Sequence, residues 1–99
     1  MKEPQFRSCR ILRALGAPIR YQIIRLLMQG RKRPGDIARE IKRKPSAISR
    51  HLAVLRAADL VRYDWQEGGV YYWIKCQDLC ACLNLAEKLA EKLKALPEE

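Results

Sequence analysis

The spacing of apolar residues changes twice along the chain, and this change constrains the fold more than any other feature. As far as Leu60, apolar positions recur every three or four residues, which is typical of amphipathic helices. From Val61 the period becomes two, and a second run rich in β-formers ends at Ile74. After Gln77 the helical period returns. The sequence therefore predicts several helices, a β-hairpin and one final helix.

Proline and glycine divide the region before the hairpin into four predicted helices. Gly16 ends the first helix, and Pro18 suits the first position of the second. The basic breaks 31–34 and 42–45 bound a short third helix, and Ser46 is predicted to be the N-cap or a first-turn residue of the fourth. The apolar positions that define these helices are Phe6, Cys9, Leu12 and Leu15, then Ile19, Ile23, Leu26 and Leu27, then Ile37, Ala38 and Ile41, and finally Ile48, Leu52 and Leu55.

The last helix, expected from about Gln77 to Leu96, carries apolar residues at alternating spacings of four and three, which suits packing against another helix. A chain of 99 residues buries a modest core alone, so a second copy is expected to cover this seam. We predict one domain over residues 1–99, mainly α with a small β-hairpin, and dimeric. The seam consists of Cys82, Ala86, Leu89, Leu93 and Leu96.

Positive charge is concentrated in the N-terminal half. Residues 1–56 carry a net charge of +12, whereas residues 57–99 carry −3. Such asymmetry indicates a polyanionic partner, most simply nucleic acid.

The fourth helix has the composition of a helix that reads DNA. At 100° per residue, Ser46, Ser49 and Arg50 lie opposite its apolar stripe, and Arg50 is long enough to reach guanine. His51 falls on the flank between the two faces. The predicted DNA-binding residues are Lys42, Arg43, Lys44, Ser46, Ser49, Arg50 and His51.

Four segments, LGAPIRYQIIRLL, GDIAREI, PSAISRHLAVLRAADLV and GGVYYWI, resemble the ArsR/SmtB family of winged helix–turn–helix repressors over residues 11–74. The resemblance implies a homodimer that binds an imperfect inverted repeat of operator DNA and is released by an effector, often a metal ion. Two departures matter. Asp59 stands where the family usually has glycine after the fourth helix, and it tolerates the left-handed conformation. The wing tip, residues 66–69, carries no basic residue and is expected to add little affinity.

The effector chemistry is predicted to involve the cysteines, Cys9, Cys76, Cys80 and Cys82. The family's Cys-x-Cys positions are Arg33 and Gly35 here, and the last helix has no histidine, so both of its best-known metal sites are absent.

Cys76 and Cys80 can share a face of the last helix, and a thiophilic ion such as arsenite would take its third thiolate from the partner's Cys9 or from Cys82. Cys80 is expected on the polar side and Cys82 on the seam. A redox or persulfide response, a regulator without an effector, and simple packing of these thiols remain alternatives.

Other classes are less well supported. No glycine-rich phosphate loop or paired catalytic carboxylates point to an enzyme, and no secretory signal or apolar run of spanning length points to a membrane, so we expect a cytoplasmic protein. A binder of single-stranded nucleic acid or RNA is the alternative from another class, because five of the seven aromatic residues lie on the hairpin.

Overall fold

A computed structural model describes residues 1–98, and its element order is the predicted one. The two strands form an antiparallel sheet that follows four helices and precedes a fifth. The fold predicted from the sequence is therefore confirmed. The elements are α1 (Glu3–Leu15), α2 (Pro18–Leu27), α3 (Pro34–Ile41), α4 (Pro45–Ala57), β1 (Val61–Gln66), β2 (Gly69–Ile74) and α5 (Asp78–Ala95).

Prolines set the starts of the three central helices, since α2, α3 and α4 each begin with one. A proline costs nothing at the first helical position, where the N–H has no partner within the helix. Ser46 is the second residue of α4, so of the two predicted positions the first turn is the observed one. Between α3 and α4, Lys42 takes a left-handed φ of 62°, and the N–H of Arg43 donates to the carbonyl of Ala38 at 3.0 Å.

The core lies where α2, α3 and α4 meet the base of the hairpin. The predicted stripe of α4, Ile48, Leu52 and Leu55, is wholly buried. In α2, Ile23 and Leu27 are buried as predicted, together with Ile24, which the periodicity did not select. Burying such side chains contributes roughly 1.5–3 kcal/mol each, so this cluster supplies much of the driving force for folding.

The hairpin turn consists of two residues, Glu67 and Gly68, because Gly69 already pairs with Gln66. Gly68 takes a φ of 94°, which glycine adopts without steric cost. Lys32 extends the sheet by one bridge: its N–H donates to the carbonyl of Tyr72 at 3.1 Å, and the N–H of Tyr72 donates back at 2.8 Å.

Asp59 follows α4 with a φ of 65°, as expected for a residue that replaces a left-handed glycine. Its carboxylate accepts a hydrogen bond from Nζ of Lys75 at 2.5 Å, which lowers the pKa of Asp59. This pair joins the end of α4 to the segment before α5.

Helix α5 is held to α2 by polar contacts. The hydroxyl of Tyr21 donates to Glu87 at 2.5 Å, a bond that raises the pKa of Tyr21. Arg25 lies 3.4 Å from the same carboxylate and donates to Asn84 at 3.2 Å. At the start of α5, the buried side chains of Leu79 and Leu83 add apolar packing to these polar contacts.

Two apolar stripes remain exposed on the single chain. On α1 the stripe consists of Phe6, Cys9 and Leu12, and the predicted seam of α5 is exposed from Cys82 to Leu96. Leu89 and Leu93 are 53% and 60% exposed, which is more than a leucine at a core position retains. Within residues 1–98, no helix is long and apolar enough to cross a bilayer.

Candidate nucleic-acid interface

The outward side of α4 presents small polar groups and one arginine. Ser46, Ser49 and Arg50 are all exposed, and the buried stripe of the helix lies behind them. A helix whose outer side chains are this short can approach base edges closely, while an arginine can donate two hydrogen bonds to guanine. The structure thus places these three predicted residues on one accessible surface.

Some basic residues between 31 and 44 form ion pairs within the chain, and others do not. Arg33 and Arg39 both pair with Asp36, Arg33 at 3.1 Å. Lys42, Arg43 and Lys44, which form the turn before α4, are exposed. In the part of the chain that the structure describes, no carboxylate lies within 4.0 Å of the basic atoms of these three residues. The free charges of this run therefore flank the start of α4.

Most of the hairpin aromatics are occupied by contacts within the chain. The rings of Tyr63 and Tyr72 stack with centroids 5.2 Å apart, and Arg56 lies 5.0 Å from the Tyr63 ring. Arg31 lies 4.0 Å from the ring of Trp73. Trp65, in contrast, is 75% exposed. The aromatic cluster that suggested single-strand binding is thus used largely to attach the hairpin to its neighbours.

His51 is half-buried on the flank of α4, where it meets α2. Its Nδ1 lies 3.4 Å from Nη1 of Arg20, whose Nε donates to the carbonyl of Ala14 at 2.6 Å. A guanidinium can only donate, so this contact is a hydrogen bond when Nδ1 carries no proton. His51 therefore positions α4 against α1 and α2. Arg20 was not predicted, because its partners are distant in sequence.

Chain stability should fall as the pH drops below about 6.5, the ordinary pKa of histidine. Burial and the charges of Arg20 and Arg50 lower the pKa of His51 in the folded chain. The unfolded chain therefore binds more protons between that lowered value and about 6.5, and the free energy of unfolding decreases through this window. Urea titrations between about pH 7.5 and 5 would measure the decrease.

His51→Gln provides the control, since His51 is the sole histidine. The variant should flatten the pH dependence in this window. An unchanged dependence in the variant would assign the effect to other groups.

The four cysteines lie apart from this interface, and their surroundings differ in part from the prediction. Cys80 is not on the polar side: it is half-buried against the core, and its Sγ donates to Oε1 of Gln77 at 3.4 Å. Cys9, Cys76 and Cys82 are exposed on the single chain. The packing interpretation of Cys9 and Cys82 thus does not hold within one chain.

Cys76 and Cys82, rather than Cys76 and Cys80, line a common cleft. Cys76 lies two residues before the first residue of α5, whereas Cys80 is within the helix and packs against the core. Among residues 1–98, no group of three or more His, Cys, Asp or Glu side chains could hold a metal ion. The described residues of one chain thus offer no site with three such ligands, and a third thiolate from the partner's Cys9 stays a prediction.

Four helices, a hairpin packed beside the last of them and a free basic turn define a winged helix–turn–helix protein. Residues 17–63 match the family model described as bacterial regulatory protein, arsR family. This segment has the helix–turn–helix of the ArsR family of transcriptional regulators, the family that the sequence motifs resemble. No curated protein matches the chain in sequence.

Solved structures extend the similarity beyond the matched segment. HlyU from Vibrio cholerae is 26% identical with a TM-score of 0.80, and the match covers 90% of this chain and 97% of that one. A homodimeric winged helix–turn–helix DNA-binding domain from Mycobacterium bovis, a possible ArsR-family regulator, is 26% identical with a TM-score of 0.81 over 89% of this chain and 82% of that one. The transcriptional repressor BigR from Xylella fastidiosa, at 18% identity, shares the fold with a TM-score of 0.74 over 90% and 96% of the two chains.

Proposed function

We propose that this regulator is a repressor that binds double-stranded operator DNA sequence-specifically as a homodimer. The observation that carries the proposal is the exposed surface of α4, where Ser46, Ser49 and Arg50 stand above a fully buried stripe. In a helix–turn–helix, the second helix enters the major groove and its N-terminal residues contact base edges. The free charges at 42–44 lie directly before that end of α4.

Base recognition and phosphate binding fall to different residues in this proposal. Arg50 projects from α4 and reads a base pair, whereas Lys42, Arg43 and Lys44 contact the DNA backbone. Backbone contacts position the protein and base contacts specify the sequence. The wing adds little phosphate affinity, because Asp64 and Glu67 are its charged residues near the tip.

Replacing Arg50 with alanine is expected to relax sequence discrimination at one base pair in each half-site. The loss should be about 1–3 kcal/mol of discrimination, because a bidentate contact to guanine is removed. Titration of operator and base-substituted duplexes would measure it. Equal weakening on specific and random duplexes would contradict the assignment.

Arg43→Ala is the matched control for Arg50→Ala, since both remove one exposed guanidinium. Arg43→Ala should weaken binding to all duplexes alike and reduce the dependence of affinity on salt. It is preferable to Lys42→Ala, because the φ of 62° at Lys42 disfavours alanine. Tighter binding of the unaltered protein to the single strand than to the duplex would instead favour the single-strand class.

The homodimer is supported by the exposed stripes of α1 and α5. Their side chains, such as Phe6, Leu12 and Leu89, are apolar and more than half exposed. A second copy would cover them and would place two α4 helices on one face of the DNA. Half-sites would then lie about 34–36 Å apart, one helical turn of the duplex, which footprinting of the operator can test.

A further inference from the structure

A cleft of about 580 Å³ lies between α1, the end of α4 and the start of α5. Its floor is apolar and includes Ile11, Leu60 and Leu79, while Cys76 and Cys82 stand at its wall. The cleft is far larger than a metal ion needs. Its dimensions and chemistry fit an organic molecule.

Arginines line this cleft and continue into an adjoining one. Arg7 and Arg10 line it, and Arg10 is shared with an adjoining cleft of about 410 Å³ whose wall also contains Arg13 and Arg20. Two carboxylates, Asp59 and Asp78, line the larger cleft.

In the described residues, Asp78 has no basic group within 4.0 Å, so its charge offsets one of the two arginines that line the larger cleft. The excess of positive charge lies where Arg10 adjoins Arg13 and Arg20 of the smaller cleft. Asp59 is paired with Lys75, and Glu3 lies 3.7 Å from Arg7. In the described residues, Arg10 has no carboxylate within 4.0 Å.

We propose that this cleft is the effector site and that its effector is a small organic disulfide bearing carboxylates. The carboxylates face Arg10 and its neighbours, and the disulfide faces Cys76. Cys76 is the thiol of choice because it is exposed and lies before α5, outside the α5 seam. The role of the cleft as an effector site rests on the proposed repressor function, whereas the reaction of Cys76 with the disulfide does not.

The reaction is thiol–disulfide exchange and needs no further oxidant. The thiolate of Cys76 attacks one sulfur of the disulfide, the S–S bond of the effector breaks, and a new S–S bond joins the effector half to Cys76. The other half leaves as a thiolate and takes up a proton from water. Cys82 lines the same cleft and is the second thiol that such an adduct can contact.

A molecule bound in the cleft would change DNA affinity through the dimer interface. The cleft separates α1 from the start of α5, and both helices carry the stripes proposed to face the second copy. An adduct held between them changes the spacing of these helices and hence the spacing of the two α4 helices. The effector shifts DNA affinity to the extent that it favours one spacing over the other.

The test compares exchange rates at individual cysteines of the full chain, with oxidised glutathione as the anionic probe and bis(2-hydroxyethyl) disulfide as the neutral one. Peptide mapping by mass spectrometry gives a rate for Cys76, Cys82 and Cys9 with each probe. Dividing the anionic rate by the neutral rate at each thiol removes differences in the intrinsic reactivity of the thiols. Cys9 is the matched control, because it is an exposed thiol outside the cleft.

The ratio at Cys76 should exceed that at Cys9 by about twofold to fivefold, and Arg10→Gln should remove most of this preference. Lys88→Gln removes the same charge from α5 and should leave the preference unchanged. Equal ratios at Cys76 and Cys9, or a preference that survives Arg10→Gln, would overturn the proposed site.

Operator titrations separate the two levels of the proposal. Unmodified protein that fails to bind any duplex would refute the repressor function without touching the exchange result. Selective modification of Cys76 should weaken operator binding, and Cys76→Ser should bind the operator but ignore the probe. Modified protein that binds the operator as tightly as unmodified protein would refute the effector role.

Discussion

The double variant Leu89→Glu, Leu93→Glu is expected to be monomeric and to bind an operator of two half-sites about 10²–10⁴-fold more weakly. Both leucines are more than half exposed on one chain, and their burial by a second copy is the proposed source of dimer stability. Two carboxylates there would be desolvated without partners. Sedimentation at micromolar concentration would measure the assembly, and duplex titration would measure the lost bivalency.

A control for added negative charge is the pair Lys88→Glu, Lys92→Glu, on the same helix but outside the seam. These changes should leave the assembly intact. An unaltered chain that sediments as a monomer at micromolar concentration would contradict the proposed homodimer.

Leu52→Ala is expected to lower the free energy of unfolding by about 2–5 kcal/mol, a large part of the stability of a small domain. Leu52 has no exposed surface and lies in the centre of the α4 stripe. Its truncation leaves a cavity between α4 and its neighbours. Urea denaturation monitored by circular dichroism would give the change in midpoint.

Val54→Ala is the matched control on the same helix, since Val54 is 41% exposed. It should cost far less than Leu52→Ala. Equal losses in the two variants would mean that α4 does not pack as described.

The helix–turn–helix and the hairpin could be predicted because their signals are local. Pro18 fixes the start of α2 as predicted, whereas Pro34 and Pro45, which were assigned to the breaks, are the first residues of α3 and α4. The stripe of α4 is unambiguous, because its opposite face has no large apolar residue except Val54. The left-handed position of Asp59 was expected from the resemblance, because the family usually has glycine there.

The cysteines show where local reasoning ends. Helix α5 has two apolar faces, one with Leu79 and Leu83 and one along the seam, and periodicity alone does not tell which face packs within the chain. The prediction took the seam as the buried face of α5 and therefore placed Cys80 on the polar side. In the structure, Cys80 lies on the face of α5 that packs against the core. The cleft of Cys76 and Cys82 depends on how α1 lies across α5, which only tertiary structure defines.

The interface shows the same limit in its charges. In the sequence, the basic residues between 31 and 44 look like one positive patch. In the structure, the guanidinium of Arg31 lies over the ring of Trp73, and that of Arg33 forms an ion pair with Asp36. The contact between His51 and Arg20 likewise joins residues 31 positions apart. Such pairings depend on the packing of whole elements, so residue type alone does not reveal them.

Three consecutive residues attach the wing to the helix–turn–helix. Arg31 lies over Trp73, the backbone of Lys32 pairs with Tyr72, and Arg33 donates to the carbonyl of Gly68 at 3.2 Å. A two-stranded hairpin alone is marginally stable in water, so these contacts determine how often it opens. Because the same residues lead directly into α3, the wing and the start of the helix–turn–helix should open as one cooperative unit, with amide protons in both exchanging together.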